Sequence, residues 1–111
     1  MIILTESNIK RVLFGATVLL GNEGQNWVKK IAKDGKITAD GAISQAARKL
    51  KFSSEEAFVA YRYISNIVTE FGYPVASLTM YNDDPKTVFS NIKDVFDIGI
   101  SRLKVRQNAG L

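Results

Sequence analysis

Apolar side chains recur at three- and four-residue intervals through most of this 111-residue chain, the spacing that lines one face of an α-helix. Ile9, Val12, Leu13, Ala16, Leu19 and Leu20 follow Thr5, a predicted N-cap, and stop at Gly21-Asn22. They predict a first helix over about residues 6–20. Phe14 and Val18 widen its apolar face, so this helix is expected to be mostly covered. A second helix is predicted over about 40–50, with Ala42, Ile43, Ala46, Ala47 and Leu50 inward. Arg48, Lys49 and Lys51 near its end complement the carbonyl end of the helix dipole.

Ser53-Ser54-Glu55-Glu56 reads as a capping box, with Ser53 as cap and Glu56 three residues on. It opens a third helix, about 54–71, on which Ala57, Tyr61, Ile64, Val68 and Phe71 line one face. Val59, Tyr63 and Ile67 thicken that face, and only Glu55, Glu56, Arg62, Asn66 and Glu70 are assigned to water. Gly72 is expected to end the helix and Pro74 to bar its continuation. Residues 75–86 read as an irregular crossing that carries Leu78, Met80 and Tyr81 ahead of Asn82-Asp83-Asp84-Pro85. Thr87 is expected to cap a last helix, about 88–104, whose stripe is Val88, Ile92, Val95, Phe96, Gly99 and Leu103.

Residues 22–41 are ambiguous. Asp34-Gly35 is a tight-turn signal between Trp27, Lys29, Ile31 and Lys33, which alternate as one hairpin arm, and Lys36-Ile37-Thr38, which supplies the other. Trp27, Val28, Ile31 and Ala32 also admit a short helix, and the hairpin is the preferred of the two. The fold is therefore expected to be mainly α. It is a single globular domain over 1–111, a compact bundle of four main helices with at most a small β-hairpin after the first. Residues 1–4 and those from about 106 are expected to fray.

Composition removes chemistry from consideration. The chain has no cysteine, which excludes a disulfide scaffold, a thiolate metal site and a cysteine nucleophile. It has no histidine, the usual general base and commonest metal ligand. With 46% hydrophobic and 23% charged residues it has the make-up of an ordinary globular protein. The run from Val12 to Leu20 behind Lys10-Arg11 imitates a signal peptide, but Glu6 and the Gly21–Gln25 segment fit neither its flank nor its cleavage site. That run is also about half of the roughly 20 residues that a bilayer crossing takes. A cytoplasmic chain without membrane association, metal or cofactor is expected.

Asn82-Asp83-Asp84 is the densest polar cluster. It lacks the alternating acids, glycine and later glutamate of a calcium loop, and Asn and Asp hold turns by bonding nearby amides. The serines have no histidine to activate them, and no glycine-rich loop leads into Gly-Lys-Ser or Gly-Lys-Thr. An enzymatic reading rests on Asp83 and Asp84 alone, so a non-enzymatic chain is preferred.

Charge is uneven. Residues 29–51 hold Lys29, Lys30, Lys33, Lys36, Arg48, Lys49 and Lys51 against Asp34 and Asp40, a net +5. Residues 52–100 carry a net −4 and the last eleven a net +3. A lysine-rich surface can meet phosphates, and Trp27 beside Lys29 and Lys30 is placed to stack on a base. Lysines rather than arginines dominate, which argues against bidentate base reading.

The C-terminal third resembles a small helical domain family of unknown function from actinobacteria and phages. The resemblance is carried by Tyr81-Asn82-Asp83, Thr87, and then Val88, Ile92, Val95 and Phe96, against a family ending of Trp-Asn-Asp, a threonine and an amphipathic helix. Trp27, the lysine- and glycine-containing turn at 33–36 and the alanine-rich 42–47 segment extend it over about residues 8–103. Tyr81 stands where the family has tryptophan, and the cysteine common in its alanine-rich segment is absent. The resemblance implies fold and a prokaryotic or phage origin, and no activity.

The sequence thus points to a small interaction or regulatory domain that binds an unidentified protein partner. Its candidate binding residues are Trp27, Lys29, Lys30, Lys33, Lys36, Tyr81, Asn82 and Asp83. The alternative is a weak, sequence-independent nucleic-acid binder acting through 29–51. A homodimer is left open, because the apolar faces of the first and third helices exceed what four helices can cover.

Overall fold

Ser or Thr side chains start four of the five helices, each by accepting an otherwise unpaired first-turn amide. A computed structural model describes residues 5–30, 34–71 and 77–109, with side-chain surroundings through Leu103. Thr5 takes the amide of Asn8 and opens α1, Glu6–Leu20, as the pattern predicts. Thr38 takes the amide of Gly41 and opens α2, Ala39–Lys49. The capping box at α3, Ser54–Glu70, is complete: the Glu56 amide donates to Ser53, and the Ser53 amide donates to Glu56.

One part of the expected plan is corrected. The crossing at 75–86 contains a fifth helix, α4, Leu78–Asp83, capped by Ser77. Its six residues are too short for the periodicity test that found the others. The expected hairpin arm and the alternative short helix both run through Ile31, Ala32 and Lys33, which lie outside the described residues, as do Gly72 and Pro74. Trp27 and Ile37 form a parallel bridge, in which the Val28 amide donates to the Ile37 carbonyl and the Ile37 amide to that of Asn26.

The last helix, α5, spans Phe89–Ala109, starting one residue later than expected and continuing past 104. At its start the Val88 amide donates to Asn91 Oδ1 at 2.9 Å. α1 packs on α2 and α5, α2 on α3, and α3 on α5, while α4 lies against α2 and α3. Leu13, Ile43, Ile64, Ile67, Ile92 and Phe96 are buried at the centre of this mainly α bundle. Removing each from water stabilises the fold by about 1.5–3 kcal/mol. Gly99 lets α5 lie close on α3: a Cβ there would come within 2.8 Å of Ile64 Cδ1, and the Tyr63 hydroxyl donates to the Gly99 carbonyl.

The outer faces differ from expectation where the stripes were broadest. Phe14 and Val18 are 62% and 63% exposed, so α1 is not covered. Phe71 and Val88 are exposed as well, and so is Phe58 on α3. These side chains lie where no neighbouring helix among the described residues covers them. No helix among the described residues is long and apolar enough to cross a membrane.

Candidate functional site

Asn82 is fully buried and is the hydrogen-bonding hub of the loop after α1. Its Oδ1 accepts from the Trp27 indole Nε1 at 2.6 Å and from the Ala39 amide at 2.9 Å. Its Nδ2 donates to the Val28 carbonyl at 3.2 Å and to Asp83 Oδ1 at 3.0 Å. Asp83 Oδ1 also accepts from the Lys30 amide at 2.7 Å, which holds Lys30 in the left-handed region at φ 69°. Lys29 Nζ donates to the Asp84 carbonyl at 2.6 Å and sits 5.9 Å from the Trp27 ring centre.

The structure therefore brings together Trp27, Lys29, Lys30, Asn82 and Asp83 from the sequence-predicted set, and it ties them to one another. The Trp27 ring packs against Phe89, with centroids 5.9 Å apart. Half-buried and bonded at its nitrogen, it anchors the loop to α4 and α5. Lys36 is exposed at the turn, and Lys33 lies outside the described residues. Tyr81 is half-buried; burial raises its phenol pKa, and the charges of Asp94 and Asp84 raise it further. Burial also pushes the Tyr61 phenol up, but hydrogen bonds with Ser77 and Thr79 outweigh this and leave it below its ordinary value. Among the described residues no three acidic side chains converge on a point where a cation would sit.

A different surface is open. α1 and α2 approach closely at Gly15 and Ala46, where a Cβ on Gly15 would stand 3.2 Å from Ala46 Cβ. Beside that contact lies a groove of about 620 Å³, walled by Phe14, Gly15, Val18 and Leu19 of α1 and by Ala46 and Leu50 at the end of α2. Lys10, Arg11 and Lys49 line it together with Ser7, and among the described residues no carboxylate does. A second cleft of about 370 Å³, between α2 and α3, mixes Asp40 and Arg48 with Phe52, Phe58 and Tyr61.

The sequence shows the surplus of apolar surface on α1 but does not place the groove, because its walls carry the same residue types as a core. Helical spacing shows that Phe14 and Val18 belong to a broad stripe, and it does not show which edge of the stripe a neighbour covers. The available signal was the excess of apolar positions on α1 over what one buried face holds.

No family model, curated protein or solved structure matches the chain.

Proposed function

We propose that this chain is a small non-enzymatic interaction domain that works by binding another protein. One observation carries the reading: Phe14 and Val18, large apolar side chains more than 60% exposed, stand side by side on a concave surface between two helices. Ligand and partner sites are concave and mostly apolar with a few polar groups at fixed places, and this groove has that make-up. Exposed apolar area rimmed by polar groups lowers free energy when a partner excludes water from it.

The nucleic-acid reading draws less support. The Trp27 indole nitrogen and the Lys29 ammonium are already engaged inside the molecule, at 2.6 Å each, and Asp83 and Asp84 lie beside them. A phosphate approaching this loop would meet those carboxylates. The resemblance of the Tyr81-Asn82-Asp83 region to a phage and actinobacterial family supports fold and a prokaryotic or phage origin alone; an accessory role for a phage or mobile element, in the host cytoplasm, is part of the proposal.

The test is site-directed photo-crosslinking in cells expressing the chain natively, with a benzophenone amino acid replacing Val18, Lys36 or Phe58 in turn. A discrete protein adduct from position 18 is the expected result. A chain that stays free of adducts from all three positions overturns the reading.

A further inference from the structure

We propose that the α1–α2 groove takes an acidic amphipathic helix of a partner protein, with apolar residues at helical spacing and Asp or Glu along their flank. This rests on the protein-binding reading above and names the chemistry of the partner.

Three observations select that occupant. First, the walls are helices whose backbone groups are satisfied within themselves, so they offer no edge for strand pairing. An extended segment would bring its own unpaired amides into an apolar groove, whereas a helix pairs all but those of its first turn within itself. Second, the groove runs along α1 from Ser7 to Leu19, a rise of about 18 Å at 1.5 Å per residue, which accepts some three turns of a docked helix. Third, the charge is of one sign: Lys10, Arg11 and Lys49 line the groove and no carboxylate among the described residues does. Basic residues on an otherwise apolar groove favour acidic flanks and disfavour basic ones.

A second copy of this chain fits poorly. An isologous pair about this face would bring Lys10, Arg11 and Lys49 of both copies into one interface with no carboxylate of the groove lining to pair them. A flat anionic bilayer would reach Phe14 and Val18 but leave the concave floor at Gly15 and Ala46 empty.

The experiment is a selection from a displayed library of random 20-residue peptides against the full chain, followed by affinity measurement of the enriched peptides. Acidic residues flanking apolar positions at i, i+3, i+4 and i+7 are expected. Binding should weaken by about tenfold or more in Val18→Glu and in Phe14→Ser, the loss typical of a truncated anchor. Lys10→Glu combined with Lys49→Glu should weaken acidic peptides and strengthen versions with lysine in place of glutamate. Phe14, Val18 and Lys49 are exposed and Lys10 is half-buried, so a matching unfolding midpoint for each variant keeps these losses separate from misfolding.

Enrichment of basic or extended sequences, binders indifferent to the groove variants, or no enrichment at all would each overturn the inference. So would a concentration-dependent dimer that Val18→Glu abolishes, or co-sedimentation with phosphatidylserine vesicles lost in the same variant. If position 18 yields a protein adduct in cells and the selected peptides still ignore the groove, protein binding stands and the acidic helix falls.

Discussion

The indole nitrogen of Trp27 donates to Oδ1 of Asn82 at 2.6 Å, joining the loop after α1 to the helix that precedes α5. Both residues stood among the sequence candidates for binding a partner, and in the structure they bind each other. The same Asn82 oxygen takes the Ala39 amide, so one side chain holds the start of α2, the loop and α4 in register.

Asn82→Ala should therefore cost on the order of 2–4 kcal/mol, since it strands a buried amide and carbonyl as well as the indole N–H. Trp27→Phe should cost less, about 1–2 kcal/mol, because the Asn82 oxygen keeps the Ala39 amide. Urea unfolding of both single variants and the double variant should give a coupling energy of about 1 kcal/mol. Additive losses would mean that the two side chains do not support each other.

Asn82→Asp introduces a specific pH dependence. An ionised carboxylate can accept from Trp27 and Ala39 but cannot donate to the Val28 carbonyl, and it faces Asp83 Oδ1. The folded state thus favours the protonated acid and raises its pKa above the unfolded value. Stability conferred by that proton is complete below the unfolded pKa and is lost as pH rises through the folded one. The deficit of the variant relative to the parent chain should be small near pH 4 and larger at pH 7, by denaturant unfolding at each pH.

Gly99→Ala places a methyl group 2.8 Å from Ile64 Cδ1 and 3.2 Å from Ile67 Cδ1. Overpacking costs about 1–3 kcal/mol, and the gain in helix propensity returns about 1. A net loss of up to about 2 kcal/mol is expected. Ile64→Val removes the nearest carbon, so the double variant should be less destabilised than the sum of the two single changes. Thermal unfolding of the three variants decides it.

Arg102 donates two hydrogen bonds of 2.8 Å to Glu70, bridging α5 and α3. Those bonds, with the guanidinium charge adding, hold the Glu70 carboxyl below its ordinary value. A depressed carboxylate contributes stability above its unfolded pKa and loses it as pH falls through the folded one. Arg102→Gln should return Glu70 to the ordinary carboxylate range in an NMR titration and remove that share of the acid-side loss. Both groups are about half exposed, so added salt should shrink the difference.

Phe14→Ser and Val18→Ser should each change stability by no more than about 0.5 kcal/mol, the usual range for exposed positions away from the core. A loss of several kcal/mol in urea would return these side chains to the interior and close the groove.

Much of this architecture is legible along the chain. The limits of α1, the capping box of α3 and the inward positions Ile64, Val68, Ile92 and Phe96 follow from spacing and cap chemistry, which act within a few residues. The short α4 does not, because six residues present fewer than two turns of pattern. The parallel Trp27–Ile37 bridge does not either, since turn signals are local and do not say which residues ten apart pair, or in which direction.

The binding candidates divide along the same line. Local sequence identifies Trp27, Asn82 and Asp83 as unusual, and it assigns them polar or aromatic chemistry. Only the folded chain decides that this chemistry is spent inward, because their partners lie more than fifty residues away. The reverse holds for Phe14 and Val18: hydrophobicity marks them for burial, but whether a neighbour arrives is a property of helix packing. A repeating pattern along a helix specifies which residues share a face. Which of those faces meets another helix, and which is left as a groove, is settled by long-range contacts that no local spacing encodes.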